Sequence, residues 1–91
     1  MKIIYKFPLV VTDWQSISIK GLVEILTVQV QHGQPQLWAL VDLADDAPTT
    51  AVQIVTLGTG HPVETVGKYL GTYQLNGGQL VLHVFVGGGA L

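Results

Sequence analysis

Short segments in which apolar and polar residues alternate run through most of the chain. In the segment 15–20, Ile17 and Ile19 alternate with Ser16 and Ser18. A period of two places successive side chains on opposite faces of an extended strand, so the pattern indicates strands with one buried face. Applied along the chain, it predicts seven strands, at residues 2–7, 15–20, 23–31, 36–43, 51–57, 68–75 and 79–86.

Turn-forming residues separate these strands. The segment 32–35 (His-Gly-Gln-Pro) predicts a hairpin turn, and Asn76-Gly77 is the strongest hairpin signal in the chain. The polar segment 44–50 predicts a loop. Gly71 interrupts a strand pattern and predicts a bulge or a close approach of another backbone. Helix signals are limited to one turn each at residues 12–15 and 62–66.

These elements predict the fold class. No helical segment is long enough to connect two neighbouring parallel strands, so the sheets should be mostly antiparallel. We therefore predict an all-β domain, either an antiparallel β-sandwich or a small barrel of about seven short strands, with at most one-turn helices. Residues 1–86 form the single domain, and residues 87–91 form a flexible glycine-rich tail. The last strand, rich in Val, Leu and Phe, is expected at the centre of its sheet.

Charge is sparse, which narrows the range of partners. Charged residues make up 11% of the chain, the net charge is −2, and the four lysines are scattered with no arginine beside them. Nucleic-acid binding needs clustered cations, so we exclude it as the main role. A surface poor in charge protects its sheet edges badly, which predicts a homo-oligomer. The alternative is a monomer that its glutamines keep soluble.

Composition also bears on location and redox chemistry. The chain has no cysteine, which excludes disulfides, zinc thiolate sites and thiol catalysis. Its apolar N-terminal run is too short for a signal peptide and includes Lys6, and no apolar run is long enough to cross a bilayer. We expect a cytoplasmic protein that does not associate with membranes.

The segment 58–62 (Gly-Thr-Gly-His-Pro) is the first candidate binding site. Glycines allow positive φ and a close approach of a ligand, and the amides of a helical turn starting at Pro62 would attract an anion. Thr59, Gly60 and His61 could together recognise a phosphate or carboxylate. The alternative is a tight turn in which the glycines serve geometry only.

Aromatic residues could add a stacking surface. Trp38 lies in an apolar strand and is interpreted first as a core residue, with a stacking wall for a planar ligand as the alternative. Trp14 adjoins a polar loop and is expected to be exposed. Tyr69 and Tyr73 should share one strand face, where they could cap a pocket or close the edge of the core. The predicted ligand-binding set is therefore Thr59, Gly60, His61, Trp38, Trp14 and Tyr69.

Catalytic signals are weak. The histidines at positions 32, 61 and 83 come from separate segments without a metal-ligand spacing, so we predict no metal and no cofactor. His83 should make a local hydrogen bond from a strand face, and His32 is interpreted as a turn residue. Ser16 and Ser18 have no activating base nearby in sequence, and Asp45 and Asp46 are interpreted as loop residues. We predict a protein that is not an enzyme.

Four segments together resemble a known group of sequences. They are Leu-Trp-Ala-Leu-Val-Asp at 37–42, Asp-Ala-Pro-Thr at 46–49, Gly-Thr-Gly-His-Pro at 58–62, and the stretch 69–85 with its Gly-Gly-Gln-Leu-Val-Leu-His-Val-Phe end. The chain resembles a family of uncharacterised small proteins encoded by bacteriophages and prophages. Members often carry Lys or Arg just after Asp-Ala-Pro, whereas residues 49–53 here have no charge, which weakens an anion-binding interpretation.

The resemblance implies a context and no mechanism. Phage-encoded small β proteins include oligomers that sequester the nucleotide signals of bacterial immunity, and others that are virion parts. Our first hypothesis is a non-enzymatic homo-oligomer that captures a small anionic, nucleotide-like ligand in the host cytoplasm. The alternative is a structural, virion or protein-interaction module, including an inhibitor of a host protein.

Overall fold

The computed structural model describes residues 1–87, which form seven strands in two packed antiparallel sheets. The elements are β1 (Lys2–Pro8), β2 (Trp14–Lys20), β3 (Leu22–Gln31), β4 (Gln34–Asp42), β5 (Thr49–Gly58), β6 (Val66–Leu75), a 3-10 turn (Asn76–Gly78) and β7 (Leu80–Gly87). Every predicted strand is present with its ends within two residues of the predicted ones, and the all-β sandwich prediction is confirmed.

The strand order is β1-β4-β3 in one sheet and β2-β5-β7-β6 in the other, and every neighbouring pair is antiparallel. The core lies between the sheets, where alternate side chains of each strand are excluded from water. This core includes Leu37 and Val41 from β4 and Ile19 and Ile54 from the four-stranded sheet, and all four are fully buried. As expected, β7 lies at the centre of its sheet, between β5 and β6.

One glycine carries the chain from one sheet to the other. Gly21 joins β2 to β3 with φ = +71°, a conformation that favours glycine. Its N–H donates to the Pro48 carbonyl oxygen, and its carbonyl accepts from the Asp42 N–H, each at 2.8 Å. The two strands therefore meet at a sharp bend that is bonded to both sheets.

Neither of the two single helical turns that the sequence allows is present, which agrees with a fold predicted to contain at most one-turn helices. Trp14 already belongs to β2, and the Asp13 carbonyl oxygen accepts from the Thr56 N–H at 3.0 Å, so Asp13 continues the hydrogen-bond ladder between β2 and β5 instead of starting a helical turn. The segment 62–65 is irregular. The short turn Asn76–Gly78 after β6 is not a right-handed helix either, because Asn76, Gly77 and Gly78 have φ values of 54°, 67° and 91°.

The C-terminal boundary differs slightly from the predicted one. Strand β7 extends through the buried Gly87, and the rest of the predicted flexible tail, residues 88–91, lies outside the described residues. No helix in the described part of the chain has the length and apolarity needed to cross a membrane.

Candidate functional site

A loop crosses the outward face of the four-stranded sheet. Strands β5 and β6 both run antiparallel to β7, which lies between them, so the connection 59–65 must pass across β7. Thr59 Oγ1 lies 2.7 Å from His83 Nε2, and His83 shares the outward face of β7 with Phe85. We call residues 59–65 the crossover loop; its first residue is hydrogen-bonded to the sheet beneath it.

His83 is the centre of a polar chain on this face. Its Nδ1 lies 2.9 Å from Thr72 Oγ1, which in turn lies 2.5 Å from the Tyr69 hydroxyl. A hydroxyl either donates or accepts, so Thr59 and Thr72 satisfy both ring nitrogens of His83 in either neutral tautomer. The expected local hydrogen bond of His83 is confirmed. The Thr59 hydroxyl is engaged within the protein by the same contact.

His61 lies at the turn that begins the crossover loop. Its N–H donates to the Gly58 carbonyl oxygen at 3.2 Å, and its ring lies over Gly58, where an added Cβ would stand 3.3 Å from the nearest ring atom. Gly60 has φ = +87° with open space around its Cα. Gly60 thus serves the turn geometry, and Gly58 leaves room for the His61 ring.

Two clefts flank the His61 side chain. One, of about 470 Å³, is lined by residues that include Val11, Thr59 and Leu80. The other, of about 510 Å³, lies under the crossover loop, and its lining includes Val55, Leu57 and Glu64. Asp13, Thr56 and His61 line both clefts. Each volume falls within the range usual for small-molecule sites.

The charge of these clefts is negative. The ionisable side chains that line them are Asp13, His61 and Glu64, with no lysine among the described lining residues. Lys68 lies elsewhere, with its Nζ 3.1 Å from the Ile25 carbonyl oxygen at the β3–β6 side of the sandwich. Carboxylates accept hydrogen bonds and repel phosphates, so the clefts suit a ligand surface that donates hydrogen bonds.

Two of the predicted aromatic residues lie on the same outward face. The strand register places Trp14 beside Val55, Val55 beside Phe85, and Phe85 beside Tyr69. We call these four residues, three aromatic side chains and Val55, the aromatic row. Trp14 and Tyr69 are 58% and 53% exposed, and the Tyr69 and Phe85 ring centroids are 5.4 Å apart. Sequence reasoning missed Phe85 as a surface residue, although its alternation with the buried Val84 and Val86 carried the signal.

Tyr69 and Tyr73 do not share a face, contrary to the sequence expectation. The β6–β7 register shifts on both sides of Tyr69, and the bulge turns Tyr69 outward while Tyr73 is buried at 4% exposure. The predicted bulge at Gly71 is thereby confirmed. The extra residue of the bulge reverses the alternation of inward and outward side chains between the two tyrosines.

Trp38 lies apart from the other predicted ligand residues. It is half-buried on the outward face of the three-stranded sheet, with Lys6 Nζ 5.8 Å from its ring centroid, so the preferred core interpretation was wrong. The thickness of the sandwich separates this face from His61. Trp38 therefore cannot stack on a ligand that His61 also contacts.

The histidines do not converge. His32 lies in the β3–β4 turn with φ = 53°, as its interpretation as a turn residue requires, while His61 and His83 lie in and beneath the crossover loop. Within residues 1–87, no group of three or more His, Asp or Glu side chains is placed to hold a metal ion.

A family model described as a domain of unknown function (DUF7352) matches residues 1–90. The comparisons with curated proteins and with solved structures found no match.

Proposed function

The chain belongs to this domain family of unknown function, and from its surface geometry we propose that it is a non-enzymatic homo-oligomeric binding protein that captures a small nucleotide-like ligand around His61. The observation that carries the proposal is the position of His61 between two clefts of about 470 and 510 Å³. Concave sites of this size with a few convergent polar groups are typical of small-ligand sites.

Different groups around the clefts would contact different parts of a nucleotide. Trp14 is adjacent to the cleft residue Val55 and offers an exposed ring on which a base can stack. The carboxylates of Asp13 and Glu64 accept hydrogen bonds from ribose hydroxyls or base N–H groups. Contact with a phosphate is left to the His61 imidazole and to the amides of Thr59 and Gly60. Recognition should therefore rest mainly on the nucleoside part.

The sequence resemblance to small phage-encoded proteins supports a proposal for the biological role. A small phage-type protein that binds a nucleotide without turning it over would lower the free concentration of that nucleotide in the host cytoplasm. We propose a cyclic nucleotide or an ADP-ribose-derived immune signal as the ligand class, which would make the protein an anti-defence factor.

Isothermal titration calorimetry tests the proposal with a panel of cyclic nucleotides, ADP-ribose isomers and their parent nucleosides. His61→Ala and Trp14→Ala should each weaken binding by about tenfold or more. Trp38→Ala is the matched control, because it removes a tryptophan from the opposite face, and it should leave affinity unchanged. A folded protein that gives no heat with any member of the panel would eliminate the proposal.

The variant Asp13→Asn tests how the negative charge of Asp13 affects ligand affinity. The main-chain carbonyl of Asp13, and with it the bond to Thr56, is retained. Phosphate-bearing ligands should bind more tightly to the variant because a carboxylate has been removed, while uncharged nucleosides should not gain. An equal change for both classes would show that the phosphate lies away from Asp13.

A second candidate function is a structural or protein-interaction module, and the aromatic row favours it. Trp14 and Tyr69, at opposite ends of the row, are both more than half exposed, and exposed aromatic rings are typical anchors of protein interfaces. One defined protein partner whose binding is lost in both Trp14→Ala and Tyr69→Ala and kept in Trp38→Ala would support this function. Loss of binding in Trp38→Ala alone would contradict the assignment of the row.

A further inference from the structure

The two sheets approach each other along one side of the sandwich and leave the other side open. On the closed side, Thr27 Oγ1 donates to the Leu70 carbonyl oxygen at 3.4 Å, which joins β3 to β6. On the open side the edge strands are β1 and β2. Side chains that face inward there stay partly in water: Tyr5 is 45% exposed, and Phe7 and Ile17 are half-buried. Apolar side chains left uncovered in this way mark a surface that a partner would bury.

The main chain of β2 is unpaired on its outer side. The bonds from the Thr56 N–H to Asp13 and from the Gly21 N–H to Pro48 fix the alternation of the β2–β5 ladder. In an antiparallel pair, hydrogen-bonded and non-bonded residue pairs alternate. The odd-numbered residues of β2 therefore bond to β5, while the N–H and C=O groups of Ser16 and Ser18 point away from it. Within residues 1–87, no main-chain group bonds to them from that side.

We propose that β2 pairs antiparallel with β2 of a second copy of this chain, about a twofold axis through Ile17. This register pairs Ser16 with the partner's Ser18 through two main-chain hydrogen bonds, and the twofold axis repeats the pair. The same register brings Trp14 opposite the partner's Lys20. The two four-stranded sheets then form one continuous sheet, and the open sides of the two sandwiches adjoin.

Charge complementarity favours a second copy of this chain as the partner that pairs with the β2 edge. The β2 edge has Asp13 and Trp14 at one end and Lys20 at the other, with uncharged Ser16 and Ser18 between them. An antiparallel copy places each Lys20 directly opposite the partner's Trp14, as a cation–π contact, and one residue away from the partner's Asp13, whose opposite charge attracts it. Lys20 Nζ has one long contact of its own, 3.4 Å to the Asp45 carbonyl oxygen, which leaves its charge available.

The pairing would also complete the candidate binding site. Asp13 lines both clefts beside His61, and the partner's Lys20 would supply there the cation that the described lining residues lack. This consequence rests on the proposed ligand function, whereas the dimer does not depend on a ligand. The experiments that test the dimer therefore contain no ligand, and their failure would not bear on ligand binding, which calorimetry tests separately.

Sedimentation and amide exchange test the pairing together. The wild-type chain of 9.8 kDa should sediment as a dimer. In the dimer, the Ser16 and Ser18 amides should exchange at least about tenfold more slowly than in the dissociated protomer, whereas the Ile17 amide, bonded to β5, should be protected in both. Ser18→Pro removes one outward N–H without touching the β2–β5 bonds and should yield a folded monomer. Ser18→Thr keeps the N–H and should remain a dimer.

A cysteine scan locates the axis, since the chain has no cysteine of its own. Paired residues at a non-bonded antiparallel position have Cα atoms about 4.5 Å apart, which suits a disulfide. Ile17→Cys should therefore oxidise to a covalent dimer. Ala51→Cys on β5 is the control, because strand spacing puts its Cα atoms at least about 14 Å apart across the axis.

A charge swap tests the ends of the edge. Lys20→Asp and Asp13→Lys should each weaken the dimer, and the double variant should restore its dissociation constant. A monomeric wild-type protein would overturn the proposal. A dimer whose Ser16 and Ser18 amides exchange freely, and whose Ile17→Cys variant cross-links no faster than Ala51→Cys, would also overturn it by placing the interface elsewhere.

Discussion

Gly71 in β6 lies so close to Val28 in β3 that a Cβ added to it would stand 2.9 Å from the Val28 carbonyl oxygen. The contact joins the two sheets along their closed side, next to the bond between Thr27 and Leu70. A glycine is required here because the backbones themselves are in contact, and Gly71 has no positive φ that would explain it.

Gly71→Ala should destabilise the fold by about 1–3 kcal/mol, because the methyl group forces β3 and β6 apart. Urea unfolding followed by tryptophan fluorescence measures the loss. Gln74→Ala, at an exposed position of the same strand, is the control and should change stability by less than about 0.5 kcal/mol. Equal stability of Gly71→Ala and wild type would mean that the sheets can separate at no cost.

A comparison of Gly21 with Gly33 distinguishes destabilisation by a steric clash from destabilisation by backbone strain. Their φ values are +71° and +74°, but a Cβ on Gly21 would lie 2.2 Å from the Asp42 carbonyl oxygen, whereas one on Gly33 meets nothing within 4 Å. Gly33→Ala should therefore cost only the left-handed strain, about 1–2 kcal/mol.

Gly21→Ala adds a clash with main chain to the same strain and should cost more than about 4 kcal/mol, which is enough to unfold many small domains. Thermal unfolding compares the two variants, and Gly33→Ala provides a folded reference if Gly21→Ala does not fold. Similar losses in both would show that the Asp42 segment moves aside freely.

Much of the fold could be predicted from the sequence because its determinants are local. The alternation of Ile17 and Ile19 with serines, and the turn at Asn76-Gly77, each fix structure within a few residues. The full strand order could not be predicted: the composition of β7 indicated a central strand, but no local signal identifies β5 and β6 as its neighbours. The position of the crossover loop on the outward face depends on that order, as does the meeting of Thr59 with His83.

The candidate site was predicted in part for the same reason. Thr59, Gly60 and His61 are adjacent in sequence, so they lie close together whatever the strand order. Tyr69 was predicted to share a face with Tyr73, and that failed because a bulge between them shifts the period of two. Gly71, which lies at this bulge, is close to Val28 in another strand, and the sequence does not show that contact. Trp38 was placed in the core because its neighbours Leu37 and Ala39 are apolar; the structure buries those two residues, whereas Trp38 faces the other way.

The Thr59 hydroxyl should anchor the crossover loop to the sheet. Thr59→Val removes the contact with His83 Nε2 at nearly constant volume and leaves that ring nitrogen without its partner. We expect a loss of about 1 kcal/mol in stability and faster amide exchange in residues 59–65. Thr65→Val, in the exposed end of the same loop, is the control. Unchanged exchange in the Thr59 variant would show that other contacts hold the loop.

Stability at alkaline pH should depend on Tyr73. Burial of this phenol in the core raises its pKa above the ordinary value of 10.0, because the charged phenolate is poorly solvated there. The contribution of the neutral phenol is complete below pH 10. Above it the unfolded chain loses the proton while the folded chain keeps it, so stability falls by up to about 1.4 kcal/mol per pH unit until the raised pKa is reached. Urea midpoints between pH 8 and pH 11.5 should show this decline in the wild type and in Tyr5→Phe, and a weaker one in Tyr73→Phe. An unchanged slope in Tyr73→Phe would assign the alkaline sensitivity to another group.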